Sequence, residues 1–355
     1  MRYLGIEIGG TKLQVGVGTG NGPPLLAIRR MEVDRSKGAE AIRRHILELA
    51  RPLIAQYHPE AIGIAFGGPI DAAKGRTLRS HHVAGWEEFP LVEWCGSELG
   101  LPAVMGNDAD LAGWAEATFG AGKGHRTVFY ITVGTGIGGA LIHEGKIYTG
   151  AHGIAAEIGH LRPGLDAYSP KDDLESISAG WGIAAQAEAF INWFLEQRAA
   201  KSPGEHIVQM VRDRLGLSQE ESVSFEELDR AVEDVLSRCN RNLRNLTTKL
   251  LGEALADENL VAKAVFRKAI RTLGWAVAQM ITLLAPSAVV IGGGVALLGE
   301  KLFFEPLRQE VERYVFPVLI GRYSISSATL GEEVMIHGAT LLARNAFASA
   351  PDFAA

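Results

Sequence analysis

Apolar residues near the start of the chain come in short runs cut by glycine turns. YLGIEI (3–8), LQVGVG (13–18) and LLAIRRMEV (25–33) are separated by GGTK and NGPP, a spacing that predicts three strands in an antiparallel opening. From 39 to 57 the period lengthens: Ile42, Ile46, Leu49 and Leu53 fall on one helical face, with Pro52 as a point of bending. AIGIAF (61–66) is a strand running into the turn GGPID, AVMGN (103–107) is a short strand, and 109–119 is a helix. TVFYITV, GTGIGG and ALIHEGKIY then repeat the order strand, glycine turn, strand. GIEIGGTKLQVGV at 5–17 and YITVGTGIGGALI at 130–142 echo one another, which implies two related halves.

Past the second hairpin the pattern turns helical. One helix is expected over 184–196, then a charged connector at KSPGEH (201–206), then a helix from 225 towards 251 opened by a capping box of Ser224 and Glu227. Phe225, Leu228, Val232, Val235, Leu236, Cys239, Leu243 and Leu246 give it an apolar stripe. Arg238, Arg241 and Arg244 form either a solvated face or an anion site. The run 272–299 carries no charge and by length alone could span a bilayer. Leu273, Val277, Met280, Ile281 and Leu284 repeat at helical spacing within it, Pro286 ends the helix, and 288–291 reads as a buried strand before Gly292, Gly293 and Gly294. The run is therefore a core helix followed by a strand.

A length of 355 residues fits two domains of about 150 each. Acidic residues outnumber basic ones 41 to 35, a formal charge of −6, so there is no basic surplus for a nucleic acid or an anionic membrane. Two cysteines, Cys95 and Cys239, lie too far apart in sequence for a disulfide framework or a four-thiolate metal site, and the expected compartment is the cytoplasm. Glu7 and Lys12 break the N-terminal apolar stretch before an export signal could form.

The glycine turns narrow the chemistry. Several backbone N–H groups converging on phosphate oxygens require a chain that comes close, and glycine allows it. The Lys-Ser/Thr ending of a P-loop is absent. Gly134, Gly136 and Gly139 match GxGxxG after a strand, yet ALIHEGKIY alternates as a second strand where a dinucleotide site needs a helix. No HRD or DFG follows, as a protein kinase would require. Each loop alone is a hairpin turn or a phosphate cradle; their duplication favours the cradle.

GIEIGGTK, GGPID, GNDAD (106–110), TVGTGIGG, AEIGH (156–160) and IGGGVALLGE (291–300) occur in an order that resembles the ROK family of sugar kinases from end to end. The resemblance implies an α/β, duplicated actin-like and hexokinase-like (ribonuclease H-like) ATPase fold with two domains around a cleft. The expected division is 1–118, completed by a C-terminal helix at 336–350, and 119–335, with an enlarged helical segment at about 185–263. It further implies ATP-dependent phosphorylation of a hexose, glucose by default and N-acetylmannosamine, N-acetylglucosamine or fructose as alternatives, by a cytoplasmic homodimer.

Phosphoryl transfer to a sugar needs a base at the hydroxyl, magnesium on the phosphates and donors that align both groups. By resemblance the base is Asp108, whose position at a strand-to-helix junction would otherwise suit a helix cap. Asp108 itself, with Asn107, Gly68, Glu157, His160 and Glu175, matches sugar contacts, and hydroxyl-rich ligands suit such groups. Gly9, Gly10, Thr11, Lys12, Thr135 and Gly136 would line the phosphates, and Gly292, Gly293 and Gly294 would border the adenine. Glu7 stands where the family commonly has Asp, one methylene longer, and would reach magnesium through water; otherwise it is an inward strand acid satisfied by neighbouring amides. In most of the family a histidine matching His160 is followed by a CxCGxxGC zinc cluster. The corresponding stretch here, LRPGLDAYSPKDDL (161–174), has no cysteine, so no structural zinc is expected. Asp166, Asp172 and Asp173 offer only weak oxygen ligands, leaving Pro163, Leu165, Tyr168 and Pro170 to hold the loop. The rival function is a sugar-responsive transcription regulator, which in this family carries a DNA-binding segment ahead of the kinase-like body. Here the first phosphate strand begins at Tyr3 and the charge disfavours DNA.

Overall fold

A computed structural model describes residues 1–78, 83–164, 172–199 and 223–348. The connector KSPGEH and the residues Leu165, Asp166, Tyr168 and Pro170 lie outside them. The first half comprises β1 (Tyr3–Ile8), β2 (Lys12–Gly18), β3 (Ala27–Glu32), α1 (Gly38–Tyr57), β4 (Ala61–Phe66), the short pair β5 (Ile70–Asp71) and β6 (Arg76–Thr77), α2 (Leu91–Leu99) and β7 (Ala103–Asn107). The second runs from α3 (Asp108–Phe119) through β8 (Thr127–Val133), β9 (Ile137–His143), β10 (Lys146–Ile147), α4 (Leu174–Ser178), α5 (Gly180–Ala199), α6 (Phe225–Arg238), α7 (Thr248–Ala256), α8 (Leu260–Leu284), β11 (Ala288–Gly292), α9 (Glu305–Tyr314) and β12 (Ser324–Ser327) to α10 (Val334–Phe347).

The echo between the halves is topological as well as textual. One sheet has the order β3-β2-β1-β4-β7 and the other β10-β9-β8-β11-β12. In both, an antiparallel hairpin is extended by two parallel strands. β1, β4 and β11 are buried along their whole length, which is why their sequences run apolar instead of alternating. Each sheet has its own core.

Between the sheets lie α10 and α3, stacked on one another. α10 covers β1 and β4, although it is the last of the described elements, and α3 lies on β8 and β9 although it leaves β7. The layers touch at glycines: a Cβ on Gly63 of β4 would sit 1.8 Å from the Ala339 carbonyl oxygen, and one on Gly338 would sit 2.3 Å from that of Leu111. Glu116, wholly buried, locks the far end of this stack. Its carboxylate accepts N–H bonds from Ala121 (2.9 Å), Thr329 (2.9 Å) and Leu330 (2.8 Å), tying α3 to the turn ahead of α10.

The helix expected over 225–251 is not continuous. α6 ends at Arg238, Asn240 and Arg241 turn left-handed (φ 54° and 56°), and α7 starts afresh behind a Thr247 cap. Asn tolerates that conformation and Asn242 caps the following turn through its side chain; the apolar stripe continued across the break because Cys239 and Leu246 still enter the same core. The arginines there are not an anion site. Arg238 pairs with Asp234 and Asp257 and Arg241 with Glu233, while Arg244 is exposed. Among the described residues no helix is long and apolar enough to cross a membrane.

Candidate active site

The first glycine turn is closed by a 3.0 Å bond from Gly9 N–H to the Lys12 carbonyl. Glu7, near the end of β1, faces Gln14 across the ladder. Gln14 is wholly buried and donates through Nε2 to the Glu7 carboxylate and to the Glu332 carbonyl (3.0 Å), while its oxygen accepts from Arg30 Nε (2.6 Å). The expectation of an acid met by a neighbouring amide thus holds for one Glu7 oxygen; the other lies 3.8 Å from Lys12 Nζ. Burial pushes the Glu7 carboxyl up to about 6 against Lys12 and Gln14, with Asp108 adding to the rise.

Asp108 begins α3, but the cap belongs to its neighbour. Asn107 Oδ1 accepts the Asp110 N–H (3.2 Å) and its amide reaches the Gly68 carbonyl at 3.5 Å. Asp108 meets only local backbone N–H groups, that of Ala109 at 2.8 Å and its own. Its Oδ2 looks towards the first hairpin: a Cβ on Gly67 would be 3.1 Å from that oxygen and 3.7 Å from Gly9 Cα. On its other side Ala109 packs against Gly138 of the second hairpin. Asp108 therefore stands between the two glycine turns, at the carboxyl ends of parallel strands. Burial raises its carboxyl to about 6, opposed by the Ala109 N–H and reinforced by Glu157.

At the second hairpin, Gly134 N–H donates to the Gly136 carbonyl (2.9 Å) and Gly180 N–H to the Gly134 carbonyl (2.8 Å). Thr248 Oγ1 donates to Gly180 (2.5 Å). Gly293 adopts φ 91° directly above Val133, and Gly294 N lies about a contact distance from where a Gly134 side chain would start. Thr135, Gly136 and the 292–294 turn thus meet in one place. Glu175 joins them, its Oε2 accepting the Ile137 N–H at 2.7 Å.

AEIGH reaches the same region because of its glycine: a Cβ on Gly159 would lie 2.3 Å from the Ile137 carbonyl oxygen. Glu157 is raised by burial, with His160 opposing and Glu175 adding. His160 is two-thirds exposed, with Nδ1 3.6 Å from Asp173 Oδ2. Asp110, which the sequence reading left unassigned, is raised to about 7 by burial, Glu157 and Asp108. Its only signal was a second acid in GNDAD. Gln14 carried no signal, since a polar residue within LQVGVG is unremarkable until its partner across the hairpin is known.

Glu7, Asp108, Asp110 and Glu157 are all raised, by burial first and by neighbouring carboxylates second, so the site gathers acids away from water. The donor set fits magnesium on a nucleotide. Among the described residues no three potential ligands form a cage, but magnesium on phosphates needs only one or two carboxylates, a number that Glu7 would supply. If Asp108 is the base, kcat/KM rises with pH through an acid limb near 6, because only the ionised carboxylate accepts a proton. A pH profile with its limb near 4, the range of an exposed aspartate, would contradict this.

Two copies of one sheet, each ending in a glycine hairpin, with a carboxylate between them, define a duplicated actin-like, hexokinase-like ATPase fold. The chain belongs to the ROK family, whose model matches residues 3–346. It is 28% identical to a glucokinase of Thermotoga maritima over 343 residues, 96% of each chain. With N-acetylmannosamine kinase of Escherichia coli O157:H7 it shares 36% identity over 195 residues, 53% of this chain and 65% of that one. A ROK family glucokinase from Streptomyces griseus, crystallised with glucose and AMPPNP, is similar in structure with a TM-score of 0.73 and 28% identity, covering 97% of this chain and all of that one.

Proposed function

We propose that the chain transfers the terminal phosphoryl group of ATP to a hydroxyl of a hexose, with glucose the first substrate. One observation carries this: Asn107 takes the helix cap, so Asp108, whose Oδ1 accepts only local backbone N–H, turns its Oδ2 to the space between two glycine hairpins. Asp108 accepts the proton of the attacking hydroxyl while that oxygen bonds to the γ-phosphorus and the bond to ADP breaks. Asn107, Gly68, Glu157, His160 and Glu175 hold the sugar. Gly9, Gly10, Thr11, Lys12, Thr135 and Gly136 line the phosphates, and Gly292, Gly293 and Gly294 the adenine. Magnesium, when bound, offsets phosphate charge, with Glu7 as its protein contact. The proposed units are 1–118 with the C-terminal helix, and 119–335, with α3 joining them through its packing on β8 and β9.

The reading includes a cytoplasmic homodimer with no nucleic-acid or membrane partner. Both cysteines are free and buried, which suits a reducing compartment. Leu283, Leu284, Phe316, Val318 and Ile320 are exposed around the Thr282–Phe316 contact and offer an apolar face for a second copy. The proposal also needs no structural zinc. Stoichiometric zinc retained through dialysis, by elemental analysis, would overturn that part.

The deciding experiment is ADP release from ATP and magnesium across glucose, mannose, fructose, N-acetylglucosamine and N-acetylmannosamine. The N-acetylhexosamines belong in it because of the 36% identity over 195 residues. Turnover with one of these sugars is expected; none with any would overturn the proposal.

A further inference from the structure

Helix α4 touches two parts of the site at once. At its N-cap, Asp173 Oδ1 accepts the Ser176 N–H (2.8 Å), while Oδ2 lies 3.6 Å from His160 Nδ1 and 3.9 Å from Arg162 Nη1. Arg162 also donates to the His160 carbonyl (2.7 Å), and Leu174 N–H to the Leu161 carbonyl (2.9 Å). The Asp173 side chain is only 17% exposed and His160 67% exposed, so the carboxylate is the fixed partner and the imidazole the one that needs holding. Two residues on, in the first turn, Glu175 accepts the Ile137 N–H, and just past the helix Gly180 N–H donates to the Gly134 carbonyl. Helix α4 and its flanking residues thus bracket Thr135 and Gly136 on both sides.

We infer that Asp173 is a positioning residue that aims His160 at the sugar and, through α4, couples sugar binding to the shape of the nucleotide hairpin. The inference rests on the kinase reading. A short helix bonded to the hairpin in its first turn and again just past its end transmits displacement, because its N-cap cannot shift without carrying Glu175 and Gly180. Sugar and nucleotide then strengthen one another's binding, and the effect is reciprocal.

Asp173→Asn separates this role from capping, since Asn caps a helix about as well as Asp but brings no charge to His160 and Arg162. The expected result is a rise of about fivefold or more in KM for glucose with kcat nearly unchanged. In calorimetry, the gain in glucose affinity on adding AMPPNP shrinks towards none. Ser176→Ala breaks the capping box and leaves the Asp173 charge in place, so it lowers the melting temperature without moving KM. Wild-type KM and wild-type coupling in Asp173→Asn, or an equal KM rise in Ser176→Ala, would overturn the inference while leaving the kinase intact. A wild-type protein that neither binds nor phosphorylates any hexose would overturn the kinase reading, and this one with it.

Discussion

Asp108→Asn lowers kcat by roughly 10²- to 10⁴-fold, the usual effect of removing a positioned base, and leaves glucose affinity nearly unchanged. Asn has the shape of Asp and can still accept the Ala109 N–H, but it cannot take a proton from the attacking hydroxyl. The helix start is unaffected because its cap is Asn107, so thermal stability stays close to wild type. Calorimetry with glucose and steady-state ADP release measure the two quantities separately. Full turnover in the variant would remove Asp108 from the chemistry. An equal loss of affinity and turnover would make it a sugar contact instead.

Gly63→Ala gives the largest expected loss of stability, at least about 3 kcal/mol. The added methyl would fall 1.8 Å from the Ala339 carbonyl oxygen, which belongs to a helix backbone and has no rotamer to change. Relief requires α10 to lift from β4, and α10 is itself held against Leu111 at Gly338. The whole interlayer stack must therefore open. Gly96→Ala in α2 is the control: its methyl meets nothing nearer than 3.5 Å, and replacing a helical glycine is expected to stabilise by up to about 1 kcal/mol. Urea unfolding of both variants tests the contrast. A Gly63→Ala midpoint equal to wild type would mean that the layers are not in contact.

What could be read from the sequence was what is local. Both glycine hairpins, the helix with Ile42, Ile46 and Leu49, and the uncharged run resolving into α8 and β11 follow from periodicity and turn residues alone. The duplication was visible because the two hairpins repeat the same strand and turn chemistry, and the structure extends it to all five strands of each sheet. Other features depended on contacts across long stretches of chain. Asn107 and Asp108 are both good cap formers, and only coordinates decide which one caps. Asp173 looked like a weak metal ligand until its oxygen was found beside His160, thirteen positions earlier in the chain. The break at Asn240 was hidden because hydrophobic spacing persists across it. Gly63 lies in a strand and Gly338 in a helix, and nothing nearby in sequence announces the carbonyls they face.

The position of α10 bears on how the chain folds as it is made. The face of β1 and β4 that α10 covers is completed by residues 334–347, synthesised more than 260 residues after β4. A nascent chain carrying only the first half would present buried-type strands such as AIGIAF to solvent on one side. That face is the kind of surface that recruits chaperones or aggregates. The second sheet depends on α10 less, since α3, which covers β8 and β9, precedes it, although Val334 at the start of α10 also enters that core. Translation thus runs from the amino terminus, while completion of the amino-terminal sheet waits for a helix from the second half.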